Sequence, residues 1–374
     1  MLKAINLFSA AGTQGIVKPE RLLSRPARVS VVIPCYNYGS CLGSCVESVL
    51  NAQPGIDAEI IIVDDKSTDD SLEIARALER SDPRIRVIAH EVNKGHIQTY
   101  NDGLQLAAGE FVLLLSADDL VTPGALTRAA AFLIAEPSVG MVYGNVIDFN
   151  GDLPPARTSK ASWIVWKGSD WLRDRCSSGY NVVAGPSAVM RRSVLSAVGY
   201  YRPDLPHAGD FEMWIRTSAV SDIGFLAGVD QAYYRQHATN MHKSMFQSGT
   251  AHGQLIDLKQ RWQSFEAVFT GIGRVLPECR SLYAQARRTI ACQALEYANY
   301  AYARGFRAFP IESFEEFARD LDPGIYRTPV GRAYMRRKRW GMAPLPLHPF
   351  WAPAAVAWRS SEALRSWRRR RIGV

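Results

Sequence analysis

The sequence predicts an α/β protein, with a doubly wound, Rossmann-like, mostly parallel sheet flanked by helices and then a helical, basic C-terminal region. Three observations carry this. Short β-branched apolar runs alternate with segments of helical periodicity from Val29 to about Glu136. Each apolar run ends in a polar loop, as strands buried on both faces of a parallel sheet do. After about His252 the pattern turns helical and then becomes a tail rich in proline and arginine.

Val29 to Ile33 reads as the first buried strand, and Leu42, Val46, Val49 and Leu50 follow at helical spacing. Glu59 to Val63 is the second strand, and Thr68 or Asp69 can cap a helix carrying Leu72, Ala75 and Leu78. A third strand over Arg84 to Ile88 leads to a helix with Ile97, Tyr100, Leu104 and Ala108 on one face, ended by Gly109. Phe111 to Leu115 is strongly apolar, and Thr122 before Pro123 starts one more helix, to about Glu136. Residues 151–180 read as irregular, with Trp163, Trp166 and Trp171 among polar residues, and are expected to form a substrate lip. Ser187 to Met190 resumes the sheet. The expected division is an N-terminal extension over 1–27, an α/β domain over 28–250 and a helical region over 251–374.

Composition excludes several classes. With 47% hydrophobic and 21% charged residues, the chain has a core to bury and is not intrinsically disordered. The most apolar stretch, Leu345 to Trp358, is interrupted by three prolines and a histidine, so it is not a membrane span. Met1 to Ala11 lacks the features of a secretory signal, which leads to the expectation of a cytoplasmic protein. The six cysteines lack histidines at zinc-ligand spacing and read as buried free thiols. Charge is uneven: residues 331–374 hold eleven Lys and Arg against the single acid Glu362, leaving about −2 of the net +8 for everything before. Such a tail suits an anionic surface.

Ligands of open parallel sheets gather at the carboxyl ends of the strands. There the sequence has Pro34-Cys35-Tyr36-Asn37, Asp64-Asp65-Lys66-Ser67, Asn93-Lys94-Gly95 and Ser116-Ala117-Asp118-Asp119. Two acid pairs in one crevice repel unless a cation or ligand donors lie between them, which points to a divalent metal and a nucleotide. Neither a G-x-G-x-x-G nor a G-x-x-x-x-G-K-[ST] loop occurs, so dinucleotide-fold and phosphate-loop chemistry are set aside.

These segments, in this order and spacing, resemble glycosyltransferase family 2, the GT-A fold that moves a sugar from a nucleotide-diphosphate donor; the likeness covers residues 29 to about 240. The resemblance implies a nucleotide-sugar site made of Pro34, Tyr36, Asn37, Asp64, Asn93, Gly95, Ser116, Ala117, Asp118 and Arg235. It implies a divalent metal, Mn²⁺ or Mg²⁺, on Asp118, Asp119 and His237. Asp64 would accept the imide N–H of uracil or thymine, which ranks UDP- and dTDP-sugars ahead of GDP-sugars. The chain departs from the strict D-x-D pattern at its first position, which is Ser116.

On the acceptor side, Gly185 to Arg192 and the helix Asp210-Phe211-Glu212-Met213-Trp214-Ile215-Arg216 resemble the family's E-D-x-x-L-W-x-R segment, with Gly209 in place of the glutamate. Asp210 falls on the catalytic aspartate, which implies one base and single displacement with inversion. Tyr234-Arg235-Gln236-His237 resembles the family's Y-R-x-H motif. The expected acceptor is a lipid-linked or surface-polysaccharide glycan.

Three alternatives accompany this reading. A degenerate nucleotide-sugar-binding relative is raised by Ser116 and Gly209, although Asp118 and Asp210 survive. A nucleic-acid-binding module is raised by the basic tail, but the acids at the sheet edge repel a phosphate backbone, so no nucleic-acid partner is expected. A sugar-phosphate nucleotidyltransferase would show a glycine-rich basic loop after the first strand, and Pro34 to Asn37 is not one. The tail's Arg336 to Arg339, Trp340, Phe350, Trp351, Trp358 and Trp367 combine cations with interfacial aromatics, predicting peripheral attachment to the inner membrane face.

Overall fold

The computed structural model describes residues 12–237, 250–342 and 352–374, without the side chains of 352–358 and 361. Two compact units result. The first runs to Leu172, resumes over Val182–His237 and includes Arg370–Gly373. The second holds Arg173–Asn181, the described residues from 250 to Arg369, and Val374. Two short segments therefore cross the boundaries expected from sequence.

The first unit is built on one ten-stranded sheet. Its strands are β1 (Ile16–Pro19), β2 (Ala27–Cys35), β3 (Ile56–Asp64), β4 (Ile85–Ala89), β5 (Phe111–Leu114), β6 (Leu120–Val121), β7 (Val139–Phe149), β8 (Ser162–Trp166), β9 (Val189–Arg191) and β10 (Asp222–Arg235). They lie in the order β1-β8-β10-β7-β9-β5-β2-β3-β4, with β6 on β10. Parallel pairing joins β2 to β3 and β5, β3 to β4, and β7 to β10; β6, β8 and β9 run the other way. Val29, Val31, Val32, Ile33, Ile60, Ile62 and Val63 are fully buried, the two-sided burial that their β-branched runs predict.

The helices between these strands are α1 (Gly39–Leu50), α2 (Ser71–Ser81), α3 (His96–Leu106), α4 (Ala125–Ala135), α5 (Gly168–Ser178), α6 (Arg192–Val198) and α7 (Gly209–Ser218). Helix α3 lies so close to the sheet that a Cβ at Gly103 would sit 2.3 Å from Val32 Cγ1. Helix α4 begins at an N-cap of Gly124 in the left-handed region, not at Thr122. The Thr122 hydroxyl instead donates to the Asp230 carbonyl at 2.6 Å, a tertiary partner that outcompetes a cap.

Residues 151–180 are not the irregular lip expected. They contain β8 and the whole of α5, and Trp163, Trp166 and Trp171 are all buried. The run Trp163-Ile164-Val165-Trp166 is apolar on both faces, so it shows neither the alternation of a half-exposed strand nor a helical period. β1, from the expected N-terminal extension, pairs antiparallel with β8. Part of the basic tail is also structural. The Trp166 indole donates to the Ile372 carbonyl at 3.1 Å, and Tyr143 donates to the Gly373 carbonyl.

The second unit is helical: α8 (Ala251–Thr270), α9 (Cys279–Arg304), α10 (Ile311–Leu321), α11 (Pro329–Trp340) and most of α12 (Ala352–Ile372). Helix α9 packs against α8, α10 and α11 over buried Phe265, Ile290, Leu295, Phe314 and Tyr334. Thr250 and Thr328 cap α8 and α11 by accepting from Gly253 and Gly331 N–H groups. No helix among the described residues is long and apolar enough to cross a membrane. Phe350 and Trp351 lie outside the described residues, as does the Trp358 side chain.

Candidate active site

The parallel block places three chemically distinct loops at the carboxyl ends of β2, β3 and β5. In register, Cys35 at the end of β2 faces Asp64 at the end of β3. The following loops are stapled together by Asn37. Its backbone enters the left-handed region at φ 60°, its Oδ1 accepts from the Thr68 N–H at 2.7 Å, and its own N–H donates to Ser67 Oγ at 3.1 Å. Asn37, read from sequence as a donor contact, thus spends its side chain on the loop. Tyr36 is 45% exposed beside it, and Pro34 is half-buried.

Asp64 is 1% exposed. One carboxylate oxygen, Oδ2, accepts from the Ser67 N–H at 3.1 Å. The other, Oδ1, is buried with no hydrogen-bond partner among the described residues. An acceptor left this way costs about 1–3 kcal/mol, more for a charged group, unless a ligand donor reaches it. Asp65, the next residue, is fully committed. Its oxygens accept from the Lys94 N–H at 2.7 Å and the Gly95 N–H at 2.9 Å, and pair with His90 Nδ1 at 2.8 Å. His90 Nε2 lies 3.0 Å from Asp102, which Lys94 Nζ also meets at 2.9 Å. Asn93 completes the loop by donating to the Asp65 carbonyl at 3.1 Å and accepting from Gly95. Gly95 adopts φ +80°, where a side chain would be strained.

The loop after β5 brings Ser116, Ala117, Asp118 and Asp119 to the last residues of β10. Ser116 is half-buried and its carbonyl accepts from the Asp119 N–H at 3.0 Å; Ala117 is fully buried. His237 Nε2 lies 2.9 Å from Asp118 Oδ2, and its ring meets Tyr38 edge-on at 5.9 Å. Asp119 Oδ1 accepts from the Arg235 N–H at 2.9 Å, while Arg235 Nε donates to the Asp118 carbonyl and the guanidinium lies 4.5 Å from the Phe149 ring. Burial, and then the charge of Asp118, push the Asp119 carboxyl well above its ordinary range. Among the described residues, no three His, Cys, Asp or Glu side chains gather as a metal-ligand cluster. The donors that face each other are a carboxylate oxygen and an imidazole nitrogen, groups of the kinds that bind divalent cations.

Asp210 opens the first turn of α7, whose N-cap is Ala208. The Tyr201 hydroxyl donates to Asp210 Oδ1 at 2.9 Å, and a Cβ at Gly185 would sit 3.3 Å from Oδ2. Arg216 pairs with Glu212, one turn earlier on the same helix, at 2.9 Å. Tyr100 stands edge-on to Tyr201 at 5.5 Å and to His96 at 5.5 Å. After burial, the charges of Asp210 and Asp118 raise the Tyr100 hydroxyl far above its usual range. Tyr234 is pushed up to about 12 by burial, then by Asp119, Asp118, Asp148 and Asp210.

Sequence reading missed Tyr38, Tyr100 and Tyr201, which bring no motif of their own, and the bracing role of Asp65 and His90. An acid pair at a strand end signals a site but not which acid is open.

A mostly parallel α/β sheet with acids at its strand ends, covered by these helices, is the GT-A architecture of nucleotide-sugar glycosyltransferases. The mannosyltransferase PcManGT of Pyrobaculum calidifontis, solved with GDP-Man and Mn²⁺, shares the fold at a TM-score of 0.50 and 17% identity, covering 88% of this chain and 91% of that one. S. aureus TarS 1–349 with UDP-GlcNAc does so at 0.50 and 20%, covering 83% and 92%. Residues 30–199 match the family described as Glycosyl transferase family 2. An uncharacterized glycosyltransferase of Nostoc sp. is 31% identical over 232 residues, 58% of this chain and 67% of that protein. The chain belongs to glycosyl transferase family 2. It spans about two thirds or less of the length of the curated relatives it matches.

Proposed function

We propose that the protein transfers a sugar from a nucleotide-diphosphate donor to a hydroxyl acceptor with inversion at the anomeric carbon. The observation that carries this reading is the placement of Asp118, which faces His237 at 2.9 Å, and Asp210, which the Tyr201 hydroxyl meets at 2.9 Å beside Tyr100, with both acids bearing on the phenols Tyr100 and Tyr234. A candidate base and a candidate phosphate-side acid thus share one neighbourhood. The buried, unpaired Asp64 Oδ1 supports a base with an imide N–H, uracil or thymine, ahead of guanine. Asp118 and His237 are the residues that would hold a divalent cation; when bound, it neutralises charge building on the departing diphosphate. Asp210 accepts the acceptor's hydroxyl proton as that oxygen bonds to the anomeric carbon and the bond to the diphosphate oxygen breaks.

We also propose a cytoplasmic location at the inner membrane face, with a lipid-linked or surface-polysaccharide glycan as acceptor. The support is the outward stripe of α11, where Arg332, Arg336, Arg339 and Trp340 recur at helical spacing and are exposed, and the exposed Leu364 and Trp367 of α12. Because residues 370–373 pack within the first unit, charge reversal is a cleaner test than deleting the tail. The triple change Arg332→Glu, Arg336→Glu, Arg339→Glu is expected to abolish flotation with phosphatidylglycerol vesicles; undiminished flotation would refute the attachment.

The catalytic reading is tested by calorimetric binding of UDP, dTDP and GDP with and without Mn²⁺, followed by diphosphate release from the matching nucleotide sugars. Asp210→Asn is expected to bind nucleotide as the wild type does while losing turnover by on the order of 10²–10⁴-fold. Full turnover in this variant would remove Asp210 from the chemistry.

A further inference from the structure

The loop between α6 and α7 is held with unusual redundancy. Asn101 of α3, itself buried, donates from Nδ2 to the Tyr201 carbonyl at 2.8 Å and accepts from the Tyr201 N–H at 2.9 Å. From the other side, Arg216 of α7 donates to the carbonyls of Val198 and Tyr200. Two helices therefore fix the backbone of Tyr201 without using its side chain.

That side chain is buried, 6% exposed, and its hydroxyl meets Asp210 Oδ1 at 2.9 Å. The ring lies against Gly209, where a Cβ would sit 3.2 Å from Tyr201 Cδ1 and 3.5 Å from Ile97 Cδ1. The 3.2 Å contact would require the Tyr201 ring to give way by a few tenths of an ångström, while the Ile97 contact is ordinary. Gly209 is also where this chain lacks the glutamate of the motif it resembles. The missing side chain and the close-lying phenol are thus two sides of one arrangement.

We propose that Tyr201 is the positioning residue for Asp210. Its hydroxyl fixes the carboxylate through Oδ1, and Gly209 provides the room that lets the phenol close on it. A base displaced by about 1 Å loses on the order of 10²-fold in rate, so a hydroxyl that fixes one carboxylate oxygen bears directly on turnover. The inference rests on the reading of Asp210 as the base. Among the described residues, the hydroxyls of Tyr100 of α3 and Tyr234 of β10 also feel the charge of Asp210.

The test uses the full chain with Tyr201→Phe, which keeps the ring over Gly209 and removes only the hydroxyl. Without any substrate, the ¹³C-carboxyl resonance of Asp210, identified by its loss in Asp210→Asn, is expected to titrate at higher pH in Tyr201→Phe, because a donor to the charged form has gone. With UDP-, dTDP- and GDP-hexoses as probes, kcat is expected to fall on the order of 10- to 100-fold with donor KM unchanged. In an Asp210→Asn background the same change should cost nothing further. Gly209→Ala, which crowds the ring and carries no helix-propensity penalty, should lower kcat in the same way and serves if the phenylalanine variant folds poorly. An unshifted Asp210 titration and wild-type kcat in Tyr201→Phe would overturn the inference. If Asp210→Asn keeps turnover, the base assignment itself has failed, an outcome that does not depend on Tyr201.

Discussion

The ends of β3 and β5 each carry two consecutive aspartates, and each pair divides its work in the same way while differing in what surrounds it. At β3, Asp65 braces the Asn93 to Gly95 loop through His90 and two backbone N–H groups, and Asp64 keeps a buried oxygen unpaired. At β5, Asp119 takes the Arg235 N–H, and Asp118 faces His237. The bracing acid at β3 is met by three donors; among the described residues the one at β5 accepts only the Arg235 N–H and has its carboxyl driven upward by burial and by Asp118. The first pair is therefore organised for a neutral hydrogen-bonding group, the second for positive charge.

Removing the outward acid of the β5 pair should have the largest effect. Asp118→Ala is expected to weaken diphosphate binding at least tenfold in the presence of Mn²⁺ and to erase the difference between metal-containing and metal-free titrations. Calorimetry that still shows Mn²⁺-dependent binding would shift the cation to other ligands.

The β3 pair offers a sharper contrast. Asp64→Asn is expected to reduce affinity for UDP about tenfold with little change in Tm, since it replaces an oxygen that serves no internal partner. Asp65→Ala instead strands two N–H groups and His90, and should cost roughly 2–3 kcal/mol of stability, read in chemical denaturation. Equal losses of stability in the two variants would break the distinction drawn between them.

The smallest effect concerns Asp119. Its folded pKa is raised, so its contribution to stability is present in acid, below the unfolded carboxyl range, and is lost as pH rises through the folded value. Asp119→Asn, which retains an oxygen for the Arg235 N–H, should therefore raise the Tm of the metal-free protein at pH 7–8 by about 2–4 °C. The gain should vanish toward pH 4. A gain independent of pH would show that the carboxyl is not held upward by its surroundings.

Much of this was legible in the sequence. The runs around Val31 and Ile61 are β-branched and unbroken, and their buried strands follow from local composition alone. The motifs at the strand ends are contiguous, so Asp64, Asp118 and Asp210 could be found without knowing what lies across from them. The strand Ser162 to Trp166 was hidden because both of its faces are buried, which removes alternation from the pattern. That Asn37 also staples the loop after β3, through its Oδ1 and backbone N–H, could not be read from sequence, because the partners are set only when the two loops meet.

What the sequence by itself determined was the alternation of strands and helices from Val29 to Leu114, the family and the positions of the acids, since each depends on residues close together in the chain. Tertiary structure alone decided which acid of each pair is open, how the run Arg370 to Gly373 ends against Tyr143 and Trp166, and what holds Asp210. Those outcomes depend on hydrogen bonds between residues far apart in sequence, such as Asn101 to Tyr201 and Arg235 to Asp119, whose geometry is set only when the sheet has brought them together.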